Sequence, residues 1–245
     1  MNIKNIFEKQ NATAAGILGV AFIAVAIIAG IFLSNLRSSG NVLTSTGSAK
    51  TSVTSDSAKF SGSVIAYGAQ FELPTRYRDM EVSTAKVKKY LIDNGVTEEE
   101  LVISPITQFE QYDYNNSGGP KQFQLSQMVS VNSTDVAKVT KISNGVSDIA
   151  KSGVLFQTNG AQYFYSKLAD LRVSLLGDAI KDAKARAGEI AKASGSNVGK
   201  LKSATSGVVQ VLAPNSIDTS DYGTYDTSTI EKDVMVTVRA SFIIK

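Results

Sequence analysis

The chain has 245 residues, 43% of them hydrophobic and 19% charged, and its 25 Lys plus Arg against 22 Asp plus Glu give a formal net charge of +3. It has no Cys, no His and no Trp, which excludes disulfides, thiolate nucleophiles, Cys- or His-ligated metals and Ser-His-Asp triads. Beyond residue 40 the charges nearly balance, so the body lacks the single-sign field of a nucleic-acid binder and no nucleic-acid partner is expected.

Residues 1–11 carry Lys4, Glu8 and Lys9, and from Ala12 to Leu36 there is no charge at all. The apolar run from Ala14 to Leu33 would be about 30 Å long as a helix, the thickness of a bilayer core. Residues 12–36 are therefore expected to form a transmembrane anchor in the lipid bilayer. The run is longer than the apolar region of a cleaved signal peptide, and Ser34-Asn35-Leu36-Arg37 offers no Ala-x-Ala site. Lys4 and Lys9 ahead of the span, against Arg37 alone behind it, predict a cytoplasmic segment 1–11. The body is then extracytoplasmic, and periplasmic if the host has an outer membrane. Ala15-x-x-x-Gly19 and Ala26-x-x-x-Gly30 are spaced for helix–helix packing.

Residues 37–50 read as a polar tether and the start of a first strand, opening a domain that covers 42–245. Phe60 to Phe71 is strand-like, with Ser63, Ile65, Tyr67 and Ala69 on one face. Pro74 opens a helix whose Met80, Thr84, Val87 and Leu91 lie three to four residues apart, and Asn94-Gly95 stops it. Thr97 to Glu100 resembles a capping box. The chain then extends from Leu101 to Tyr114, turns through Asn115–Pro120, and returns on a strand bearing Phe123, Leu125, Val129 and Val131, with Gln127 breaking the apolar face. Ser133 or Thr134 is expected to cap a helix built on Val136, Val139, Ile142, Val146 and Ile149 and ended by Gly153. After a short strand at 154–158, the longest helix runs from about Phe164 to Ala193. Leu168, Leu171, Leu175, Ala179, Ala183, Ala187 and Ile190 form its stripe, short enough for close packing. A strand at 201–212, a loop at 213–230 and an alternating strand through Val234, Val236, Val238, Ala240 and Phe242 close the chain.

The order strand–helix–strand–strand thus occurs over 57–132 and again over 154–244, with a helix between. It predicts an α+β fold: two lobes of antiparallel sheet with packed helices, divided near 133–153 and preceded by the N-terminal membrane helix.

Few residues offer chemistry. Ser83-Thr-Ala-Lys86 matches the Ser-x-x-Lys pattern of penicillin-binding enzymes, but Ser220-Asp-Tyr stands where Ser-Asp-Asn would be needed and no Lys-Thr-Gly occurs. Asp218, Asp221 and Asp226 lack the alternate spacing of a calcium loop. Gly195 to Gly199 is explained as a tight turn. Glu110, Asp113 and Asp148 are not paired by anything in the sequence. No catalytic, cofactor-binding or metal residue is therefore assigned, and enzyme activity is not expected. Tyr112, Tyr114, Tyr163, Tyr165, Tyr222 and Tyr225 gather at strand ends and loops, where tyrosine can supply interface area.

Several blocks together resemble the SIMPL-domain family of bacterial envelope proteins, which includes periplasmic oxidative-stress-defence proteins and a periplasmic immunogenic protein. They are Thr46-Gly-Ser-Ala-Lys50 with Val53-Thr-Ser-Asp56 and Ala58-Lys59; Gln111-Tyr-Asp-Tyr114; Asp178 to Ala187 running on through Ala191 to Gly199-Lys-Leu; and the closing valine strand. The resemblance implies two α+β lobes, a homo-oligomer and a part in envelope and oxidative stress defence, with no catalytic residues to carry over. The chain departs from relatives in Ser55-Asp56, where they often have proline–aspartate, and in its long anchor. The resulting expectation is a membrane-anchored, extracytoplasmic, non-enzymatic protein that self-assembles or binds a partner. The alternative is a small-ligand receptor or hydrolase acting on envelope material through carboxylate or Ser–Lys chemistry.

Overall fold

The structure, a computed structural model, describes residues 19–30, 41–112 and 119–245. Residues 19–30 form a helical segment, α1, whose side chains, Phe22 and Val20 among them, are exposed. The rest of the 12–36 span lies outside the described residues, as do Tyr114 and most of the 115–120 turn. Among the described residues no helix is long and apolar enough to cross a membrane.

The body begins with β1 (Val42–Thr54), β2 (Ser57–Ala69) and α2 (Leu73–Asp93). Two short strands follow, β3 (Leu101–Ile103) and β4 (Thr107–Gln111), and then β5 (Gln122–Ser133), α3 (Val136–Asn144), α4 (Ser147–Lys151) and β6 (Phe156–Phe164). The chain ends with α5 (Leu168–Ala193), β7 (Val198–Leu212), β8 (Thr224–Tyr225) and β9 (Glu231–Ile244). The fold is α+β, with two largely antiparallel sheets and packed helices; the short β7–β8 pair is parallel. Of the described residues, those within 48–178 and 207–237 make one compact unit, and those within 41–47, 179–206 and 238–245 belong to another.

In the larger unit, β3 and β4 share one edge of β5, and β2 lies between β5 and β6. Helix α2 contributes Met80, Thr84, Val87 and Leu91 to the core, as their spacing requires. Its end at Asn94-Gly95 uses glycine at φ 87°, a left-handed position that side chains with a Cβ resist. The core face of β2 is Ala58, Phe60 and Val64, meeting Leu125, Val129 and Val131 of β5. The alternation expected through Ser63, Ile65 and Tyr67 marks the opposite face, on which Tyr67 is exposed. Gln127 does interrupt the apolar stripe of β5, and its amide is satisfied. It accepts from Thr84 Oγ1 at 2.6 Å and donates to the Ser104 carbonyl at 2.8 Å.

Four local expectations shift. Pro105 divides the extended segment 101–114, since it has no N–H for the β5 ladder. The helix after β5 is capped by Asp135, whose carboxylate accepts from Lys138 N at 2.9 Å, and Ser133 accepts from Asp135 N instead. That helix also breaks at Gly145, leaving α3 and α4 as separate pieces. Finally, β6 reaches Phe164, so α5 starts at Leu168.

Strand pairing does not follow the two halves of the chain. β6, from the second strand–helix–strand–strand run, pairs with β2, whereas β1 lies in the four-stranded sheet ordered β1-β9-β7-β8. Bonds from Ser52 to Asp233 and from Thr54 to Glu231 run in antiparallel sense along β1 and β9.

In the smaller unit, Ala179, Ala183, Ala187 and Ala191 of α5 are buried with Val238, Ala240 and Phe242 of β9. Ile190, expected on the stripe, is exposed, and Ala191 takes its place four residues beyond Ala187. Gly47 of β1 explains the run of alanines: a Cβ there would meet the backbone of Ala179 and Ala183.

Candidate functional site

Polar residues on this framework either hold the fold or line open surface. Lys86 donates to the carbonyl of Ser152 at 2.9 Å, which commits its ammonium to joining α2 to the end of α4. Neither Ser83 nor Lys86 lines either of two clefts among the described residues. One, of about 480 Å³, is lined by Ser57 to Lys59, Asn132 to Thr134 and Phe164. The other, of about 580 Å³, belongs to the smaller unit and is lined by α5 and the first residues of β7.

The acidic loop contains a structural clamp. The Asp226 carboxylate accepts from Ser228 N and Oγ and from Thr229 N and Oγ1. Lys232, fully buried, donates to the carbonyls of Asp226 at 2.6 Å and Thr229 at 2.7 Å and lies 3.4 Å from the Asp226 carboxylate. Its ammonium is 5.9 Å from the centre of the Tyr225 ring. Burial would push the Asp226 carboxyl up, but the bonds from Thr229 and Ser228 outweigh it and hold it well below the usual range. Burial pushes the Lys232 ammonium down against the attraction of Asp226. The signal for this lysine is in the sequence: extending the alternation of Val234 and Val236 back by two residues puts Lys232 on the core face.

A second network fixes α3. The Glu100 carboxylate accepts from Lys138 Nζ at 2.7 Å and from Thr97 N at 3.0 Å, the latter being the expected capping contact. Lys138, then Ser133 and Thr97, pull the Glu100 carboxyl down to about 2. Because its folded value lies below its unfolded value, its stabilisation is present at neutral pH and fades as pH falls from about 4.5 to 2. Glu100→Gln should cost about 1–2 kcal/mol at pH 7, with a shallower loss of stability across that acid window, measured by urea midpoints at several pH values. Asp56, within the first family-like block, is similarly engaged, accepting from Ser166 N at 2.8 Å and Ser166 Oγ at 2.7 Å.

The tyrosines divide. Tyr163 is buried, with its hydroxyl 3.0 Å from Thr140 Oγ1, and the Tyr225 hydroxyl accepts from Tyr165 N. Tyr112 and Tyr222 are exposed.

What the sequence alone did not expose is the outer face of the five-stranded sheet. Helices cover the side bearing Phe60, Val64, Leu125 and Val129. The register sets Tyr67 and Phe109 on either side of Gln124, Ser63 opposite Met128, and Val102 opposite Ser130, all on the other side. Tyr67, Val102, Met128 and Phe109 are 47–58% exposed. Between them stand Ser, Gln and Thr side chains, and across the outward positions of these strands the only charge is Lys59. This surface joins exposed apolar side chains to uncharged polar ones, the composition of an interface core.

Among known families, the model described as "SIMPL: Protein of unknown function (DUF541)" matches residues 43–242. No curated protein matches the chain.

Proposed function

The chain belongs to the SIMPL family, and from that premise we propose that it is a membrane-anchored, extracytoplasmic, non-enzymatic protein that works by self-assembly and supports tolerance of envelope and oxidative stress. The observation that carries the assembly reading is the outer sheet face, charged at Lys59 alone among its strand positions, with Tyr67, Val102, Phe109 and Met128 exposed on it. A face of this kind suits a second copy of itself, because an isologous contact brings identical charges together and this face has almost none to repel. Lys86, Asp226 and Glu100 are engaged in bonds that hold the fold, which supports a role that does not depend on turnover. The anchor rests on residues 12–36, and the stress role rests on family resemblance.

Light scattering on the full chain in detergent at micromolar concentration tests the assembly. An oligomer is expected, reduced to monomer by Phe109→Glu with Met128→Glu; a wild-type chain that is strictly monomeric ends this reading. The stress role is dropped if deletion leaves survival of peroxide and envelope stress unchanged.

A further inference from the structure

The near-balance of charge over the body hides a division between its units. Residues 41–47, 179–206 and 238–245 carry eight Lys and Arg against only Asp182 and Glu189, a side-chain net of +6. Residues 48–178 and 207–237 carry 14 basic against 19 acidic side chains, a net of −5. All eight of these basic side chains are exposed. Three of them, Lys181, Lys184 and Lys192, line the 580 Å³ groove along α5 with Glu189 as its single acid. In the same unit Ile190 and Leu201 are 52% and 46% exposed. Basic side chains with exposed aliphatic ones among them form the pattern of a surface that rests in a lipid headgroup layer, the charges attracted to anionic lipid and the aliphatic groups entering its outer edge.

The covalent chain brings this same unit to the bilayer. Its first strand starts at Val42, six residues after Leu36 at the end of the apolar span, and six residues reach at most about 20 Å. We propose that the smaller unit, through the Lys184–Lys192 groove, binds anionic phospholipid headgroups of the membrane that holds the chain. This rests on the anchor reading above. The anchor then supplies proximity, and the groove docks the unit on the surface. The contact weakens with salt, since exposed charges are screened over about 8 Å at physiological ionic strength.

The absence of cysteine from the whole chain makes a clean test available. The full chain carrying Ala185→Cys in the groove, labelled with a fluorophore, is placed in nanodiscs of phosphatidylcholine alone or with a third of phosphatidylglycerol, each with a trace of lipid spin-labelled on the headgroup. Quenching is expected to be about twofold stronger in the anionic discs. High salt, or Lys184→Glu with Lys192→Glu, should remove the difference. Equal quenching in both discs by a chain that co-migrates with them overturns the docking and leaves the anchor standing. A chain that co-migrates with neither disc overturns the anchor and the docking together. A fluorescence change on adding tripolyphosphate, with no dependence on lipid charge, assigns the groove to a soluble anion and also overturns the proposal.

Discussion

Replacing Asp226 with alanine should lower the stability of the larger unit by about 3–5 kcal/mol, the range for removing one member of a buried ion pair. The carboxylate serves Ser228, Thr229 and Lys232 together. Its loss leaves a fully buried ammonium with two carbonyls and an aromatic ring but no counter-charge. Lys232→Met should cost much less, because a flexible apolar chain of similar length fills the space and removes the charge with its partner's burden. The two variants should also differ with pH. In Asp226→Ala the Lys232 ammonium is pushed further below its unfolded value, so the unfolded state binds more protons over the alkaline range and stability rises with pH. Lys232→Met should lack that rise. Urea midpoints by tyrosine fluorescence at pH 7 and at higher pH would decide. Equal losses in both variants, with no alkaline recovery in Asp226→Ala, would show that the clamp is not electrostatic.

That clamp also shows which features were legible in the chain. Period alone placed Met80, Thr84, Val87 and Leu91 on one helix face and Val234 to Phe242 on one strand face, because in both cases the buried set repeats at the period of its own element. Position 232 is in phase with that strand, yet composition rules place lysine outside, and only the bonds from the 226–229 loop make its burial tolerable. β6 was harder. The sequence marks a strand only to Thr158, and Asn159 to Phe164 prolong it because β2 offers a ladder across a register shift at Ser61/Gly62. That is a non-local cause without a local trace. The outer sheet face was hidden for a related reason. Tyr67, Val102, Phe109 and Met128 are scattered over 62 positions of sequence and become neighbours only through register. Charge division was masked by addition, since the two units nearly cancel when summed.

The largest effect expected in the smaller unit comes from a single added side chain at Gly47. Its Cβ would meet the carbonyl of Ala179 and the backbone of Ala183, groups fixed within a 26-residue helix rather than the free end of a side chain. Relief requires moving α5, and that separates Ala183 and Ala187 from their neighbours. Gly47→Val should therefore cost about 3 kcal/mol, the upper part of the usual range for overpacking. Gly177→Ala, on the same helix with nothing within 4 Å of the added carbon, should instead gain about 0.5–1 kcal/mol from helix propensity. The opposite signs isolate close packing from any general intolerance of α5 to substitution. Because Lys184 and Lys192 ride on the displaced part of α5, Gly47→Val should also weaken the lipid-charge dependence of quenching at Ala185→Cys without removing a single charge. Loss of stability with that dependence intact would mean that the groove's lysines reach the headgroups regardless of how the helix is seated.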